Sequence, residues 1–156
     1  MRKQSKYKPK NVVLDTMGHV KSGFRPVSGT GDAVMILRIK NHGALTAIAK
    51  GEGTRQDVDI IISSMNIAEA LVRMGIGNPH KADMREAQDA ILAMARRGIE
   101  KGDRFVFTGP ELKAVNYAME IHEAQLDAIN VAQLEKAVDM VKKIIMGGGT
   151  RKITLH

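Results

Sequence analysis

Three short capping signals settle most of what this chain can fold into. Thr54 stands three residues before Asp57, Thr108-Gly109-Pro110 leads into Glu111, and Asn130 stands three residues before Gln133. In such a box the first side chain accepts a bond from a backbone N–H that a helix start leaves bare. The acid or amide three residues on reaches back to the cap, and Pro110 brings a preset φ to the first turn. Behind each signal, apolar residues recur at helical spacing. After Thr54 they run Val58, Ile61, Ile62, Met65, Ala68 and Val72 to a stop at Gly75 and Gly77. Ile60, Ile67, Leu71 and Met74 add a second apolar face, so this helix is expected to be central. After Thr108 the stripe is Leu112, Val115, Met119, His122 and Leu126, ending near Ala128. After Asn130 it is Leu134, Val138, Val141 and Ile145, ending at Gly147-Gly148-Gly149. A fourth helix opens at Asn78-Pro79, turns Met84, Ala87, Ile91 and Met94 inward, and has Gly98 after it.

The segments before Thr54 are less decided. Residues 1 to 11 carry five cations in the first ten positions, together with Pro9, and read as a basic solvated arm. A weak helix is expected over 12 to 22 and a loop over 24 to 32, where Pro26, Gly29 and Gly31 cluster. Residues 33 to 39 are β-branched enough for a short strand, or lead into a helix that continues from Asn41 to Lys50. If they form a strand, Arg104-Phe105-Val106-Phe107 is its partner. The expected fold is mainly α, a compact bundle of four to five helices with room for one two-stranded β element. A chain of 156 residues suits one domain, taken here as 12 to 149, with a frayed tail from 150 to 156.

Composition narrows the class. There is no cysteine, which removes disulfides, thiolate metal sites and a cysteine nucleophile. No Ser lies in a G-x-S-x-G context, and Ser28-Gly29-Thr30-Gly31-Asp32 lacks the Gly-Lys-Ser/Thr ending of a P-loop. The basic start is followed by Tyr7-Lys8-Pro9-Lys10 where a secretion signal needs an apolar run, and no segment approaches the roughly 20 apolar residues of a membrane span. A soluble, cytoplasmic protein with no cofactor is expected. The ten methionines fall mostly on helical stripes and read as core.

Charge is the feature with the most functional content. Residues 1 to 40 hold nine Lys or Arg against Asp15 and Asp32, whereas residues 41 to 156 hold fifteen of each sign. A neutral body with a cationic arm suits a polyanion, because clustered cations release condensed counterions on binding phosphates. Arg2, Lys3, Lys6, Tyr7, Lys8 and Lys10 are the candidate nucleic-acid contacts, with Tyr7 placed to stack on a base. Asn41-His42 either contacts phosphate or caps a helix, and Arg96-Arg97 is expected to complement a helix C-terminus. Glu120, Glu123 and Asp127 form an acidic stripe suited to a protein partner. His122, beside that stripe but on the apolar face, invites a metal or general-base role. Leu126 takes the place of the second histidine of H-E-x-x-H, and Met119 breaks an E-x-x-H, so a core histidine bonded across the bundle is favoured.

Several segments together resemble a family of small proteins of unassigned activity from proteobacterial phages, prophages and mobile elements. They are Met1-Arg2-Lys3 with Lys6-Tyr7-Lys8-Pro9, Leu37-Arg38-Ile39-Lys40-Asn41-His42, Met94-Ala95-Arg96-Arg97-Gly98, Phe107-Thr108-Gly109-Pro110-Glu111 and the run from Ala118 to Asp127. The resemblance implies an accessory protein inside a bacterial host, either a non-catalytic nucleic-acid-binding factor or a helical inhibitor or adaptor of a host or phage protein.

Overall fold

All three capping boxes form. The computed structural model describes residues 31–77 and 80–147, which make five helices: α1 (Gly31–Ala49), α2 (Arg55–Arg73), α3 (Lys81–Glu100), α4 (Gly109–Ala128) and α5 (Val131–Met146). Thr54 N–H donates to Asp57 Oδ2 at 2.8 Å while Thr54 Oγ1 accepts from Asp57 N–H at 3.3 Å. Thr108 and Glu111 repeat the exchange at 2.8 and 3.3 Å, and Asn130 and Gln133 at 3.0 and 2.8 Å. Helix α2 ends at Met74, after which Gly75 and Gly77 both take φ near +90°, the left-handed conformation that a β-carbon disfavours.

Helix α2 lies at the centre and touches each of the other four. The two apolar faces read from its sequence are why, since one stripe could not serve four neighbours. Toward its start Val58, Ile61 and Met65 pack with Ile48 of α1, Met84, Ile91 and Met94 of α3, and Val115 and Met119 of α4. Toward its end Ile67 and Leu71 meet Leu37, Leu126, Leu134, Val138 and Val141. Each such side chain contributes about 1.5–3 kcal/mol by leaving water. Between α2 and α3, Glu69 accepts from Arg73 at 3.2 Å, Arg85 at 3.1 Å and Gln88 at 3.0 Å. Burial alone would raise its carboxyl's pKa, but these donors outweigh burial and hold it below the ordinary carboxylate value.

Several expectations are corrected. Residues 33 to 39 are helical, within α1. A strand would bury alternate residues, yet Ala33, Leu37, Asn41, Ala44 and Ile48 are buried at spacings of three and four while Met35 and Ile39 are 56% and 63% exposed. Modest β propensity cannot outweigh that burial when no partner strand lies alongside. Of the expected β element there remains one antiparallel bridge, between Gly53 and Phe105, and no strand exists among the described residues. Asn41 caps nothing: it sits inside α1, 1% exposed. The Asn78-Pro79 opening lies outside the described residues, and α3 begins at Lys81 after His80. Nor does Gly98 end α3. It is a buried residue within the helix, and its carbonyl accepts from the N–H groups of Lys101, Asp103 and Arg104 at 3.1, 2.8 and 3.1 Å. The chain thereby folds back so that Phe105 packs on Gly98.

Candidate nucleic-acid interface and the His122 cluster

The cations of the arm, Arg2, Lys3, Lys6, Lys8 and Lys10, lie with Tyr7 outside the described residues, as do His19 and His156. The described body shows what they are set against. It holds fifteen Lys or Arg and sixteen Asp or Glu, while residues 1 to 30 hold seven cations against Asp15, and residues 148 to 156 hold Arg151 and Lys152 with no acid. The whole positive excess therefore lies outside the described residues.

The acidic stripe is largely engaged within the fold. Arg38 of α1 donates from Nη1 to Glu123 at 3.1 Å and from Nη2 to Asp127, while His42 Nε2 lies 2.9 Å from the other Glu123 oxygen. Asp127 first, and Glu123 with it, hold the Arg38 guanidinium pKa above its ordinary value. Two carboxylates of the stripe thus hold α4 against α1, and Glu120 is exposed. Arg38 belongs to this inter-helix network, and so does His42, which with Asn41 was expected to contact phosphate or cap a helix.

His122 is 1% exposed on the inner face of α4. It is a core histidine, but its bond runs along its own helix: Nδ1 lies 3.0 Å from Gln125 Oε1. Gln125 makes the connection across the bundle, donating from Nε2 to the Ala68 carbonyl at 3.0 Å and the Ile76 carbonyl at 2.9 Å. With its amide hydrogens committed to carbonyl oxygens, Gln125 presents only its oxygen to the ring, so Nδ1 must carry the hydrogen and Nε2 a bare lone pair. Nε2 is buried with no partner, as are both polar side-chain atoms of Asn41, which directly precedes His42. Burial lowers the His122 pKa. The Gln125 bond and the Glu123 charge oppose that, and Arg38 adds to it.

Among the described residues no group of three or more His, Cys, Asp or Glu is placed to hold a metal ion. His122 instead carries a pH dependence. The unfolded chain binds a proton at the ordinary value of 6.5 while the folded state resists it. Stability is then complete above that value and falls as pH drops below it. Urea unfolding at neutral pH and near pH 5 should show this loss in the native protein and a clearly smaller one in His122→Leu. Equal losses in the two would remove His122 as the cause.

Two further pairs were not legible in advance. Arg97, expected to complement a helix end, makes a two-pronged bond to Glu111 at 3.1 and 2.6 Å and donates to the Val106 carbonyl at 2.8 Å. That guanidinium, chiefly, holds the Glu111 carboxyl below its usual range. Arg55 binds Asp103 in the same manner, both bonds at 2.8 Å. Both tie the 101–108 connection to helix ends, and only the residue types signalled them. His80 lies 2.9 Å from Asp83 and edge-on to Tyr117, remote in sequence from the His122 cluster.

Comparison with known proteins finds no matching family model, no matching curated protein and no matching solved structure. No helix among the described residues is long and apolar enough to cross a membrane.

Proposed function

We propose that this protein is a non-catalytic accessory factor that binds nucleic acid through its basic N-terminal arm, with Arg2, Lys3, Lys6, Lys8 and Lys10 on phosphates and Tyr7 stacking on a base. The observation that carries the reading is the charge partition. A body of fifteen cations and sixteen acids, many of them paired with one another, supplies structure, and the surplus lies in the terminal segments. Phosphate contacts of this kind position a protein without reading sequence. The resemblance to phage and mobile-element proteins belongs to the same proposal, as does action inside a bacterial host cell.

The test is fluorescence anisotropy of labelled duplex and single-stranded DNA and RNA with the full chain and with a variant lacking residues 1 to 10. Deletion should weaken binding and flatten its dependence on log salt by up to about 0.9 per lost phosphate contact. Equal affinity before and after deletion would end the arm's role.

One observation favours a second reading, a helical adaptor or inhibitor of a host or phage protein. Met35 and Ile39, one turn apart on α1, are large apolar side chains left exposed. Glu120 is the member of the acidic stripe outside the Arg38 network. Retention of a protein partner after nuclease treatment, lost in Met35→Ser/Ile39→Ser, would support this reading over the first.

A further inference from the structure

We infer that Asn41 of α1 and His122 of α4 line a buried site that holds one water molecule, shared between the two helices. Both side chains are buried, and three of their polar atoms, Asn41 Oδ1 and Nδ2 and His122 Nε2, meet no hydrogen-bond partner among the described residues. Leaving so many buried polar atoms unpaired is costly enough that each calls for a partner. The donors on the flanking residues are committed elsewhere. Arg38 and His42 are turned to Glu123 and Asp127, and the Gln125 amide hydrogens go to the Ala68 and Ile76 carbonyls. The His122 Nδ1 hydrogen goes to Gln125, and the Ser64 hydroxyl donates to the Ile61 carbonyl.

The fold brings the two residues to one level. Arg38 reaches Glu123 and Asp127, while His42, a turn further along α1, reaches Glu123, so the two helices pass each other in opposite directions. The core on either side agrees: Leu37 shares one cluster with Leu126, and Ala44 shares the other with Met119. Asn41 lies between Leu37 and Ala44 on its helix, and His122 between Met119 and Leu126 on its own. Each directly precedes a residue of the rim pair, His42 and Glu123, and points about 100° away from it, toward the core. Arg38 is near enough for its charge to oppose protonation of His122.

Water fits the three atoms better than an ion or a direct bond does. It accepts a hydrogen from Asn41 Nδ2, returns one to Oδ1 of the same amide and donates its other to the bare lone pair of His122 Nε2, a full set of bonds for an internal water. A direct bond from Asn41 Nδ2 to His122 Nε2 would leave Oδ1 unmet. A metal ion would suit Oδ1 and Nε2, but it would face the Nδ2 hydrogens and the Arg38 charge. The consequence is positional. Leu37 and Ala44 could slide along apolar neighbours, whereas Asn41 meets this water at one level only, so the site sets the register of α1 on the bundle.

The test is NMR of the isotope-labelled full chain, native and as Asn41→Ala, His122→Leu and the double variant. In the native protein the Asn41 side-chain amide protons should show a cross-peak to water whose sign in the rotating frame marks proximity rather than chemical exchange, and His122 should carry its hydrogen on Nδ1. His122→Leu should weaken or abolish that cross-peak. In urea each single variant should lower the unfolding midpoint, and the double variant should lower it by less than the two losses together, because the second substitution removes a bond already broken. In the native protein, an Asn41 amide with no water cross-peak, or a His122 with its hydrogen on Nε2, would overturn the site whether or not the variants fold. Coupled losses without a water cross-peak would replace the water by a direct Asn41–His122 bond. Additive losses, or a cross-peak that His122→Leu leaves unchanged, would overturn the link between the two residues.

Discussion

Replacing Gln125 with leucine is expected to destabilise the protein by about 2–4 kcal/mol, although the side chain's volume is nearly kept. The cost comes from what is left behind. The His122 Nδ1–H and the Ile76 carbonyl lose their bonds to Gln125, the Ala68 carbonyl loses its second donor, and a buried polar group left unsatisfied costs about 1–3 kcal/mol. Restored burial of the leucine methyls offsets only part of this. Because the Ile76 bond holds the turn after α2, hydrogen exchange should rise first around residues 74 to 77. Gly77 is coupled to the same site, since a β-carbon there would approach Gln125 Nε2 to 2.8 Å. Denaturant unfolding of Gln125→Leu measures the effect, and a loss below about 1 kcal/mol would mean the clamp is not what orders this region.

Gly98→Ala should also destabilise, against what helix propensity alone implies. Within a helix alanine is favoured over glycine by roughly 0.5–1 kcal/mol, so a reading of α3 as an isolated helix expects a gain. The tertiary structure reverses the sign. A β-carbon at residue 98 overlaps the Phe105 ring, with Cε1 at 2.8 Å and the Arg104 carbonyl oxygen at 3.0 Å. Backbone and a buried ring cannot both step aside, and overpacking of this kind costs about 1–3 kcal/mol. The displaced Phe105 also strains its bridge to Gly53, so the loss should be larger than in Gly43→Ala, where a β-carbon meets open space. Thermal melting of the two variants decides it. A higher melting temperature for Gly98→Ala would show that the 101–108 connection yields freely.

The pattern of what could be read in advance follows the range of the forces involved. The boxes at Thr54, Thr108 and Asn130 close over three residues, and the stripes behind them repeat every three or four, so those helices were legible without a neighbour. The central place of α2 was legible too, from its two apolar faces. Residues 33 to 39 were open because β-branched content and helical spacing pointed in opposite directions over a short stretch. Burial against α2 decided between them. Gly98 was misread as a stop because glycine serves both as a helix end and as a place where another segment comes close.

Of the candidate sites, the chain by itself determined the charge partition, since net charge needs no coordinates, and it placed His122 on an inward face. It could not determine what His122 and the acidic stripe do. His122 takes its tautomer from Gln125, which in turn is set by carbonyls 57 and 49 residues away, and Asp127 and Glu123 meet Arg38 and His42 across 89 and 81 residues. Hydrogen bonds and ion pairs act over a few ångströms, and only the tertiary structure brings such distant residues within that reach. The same holds at the opposite end of α1, where pairing of Asp103 and Glu111 with Arg55 and Arg97 decides which charges are left to meet solvent.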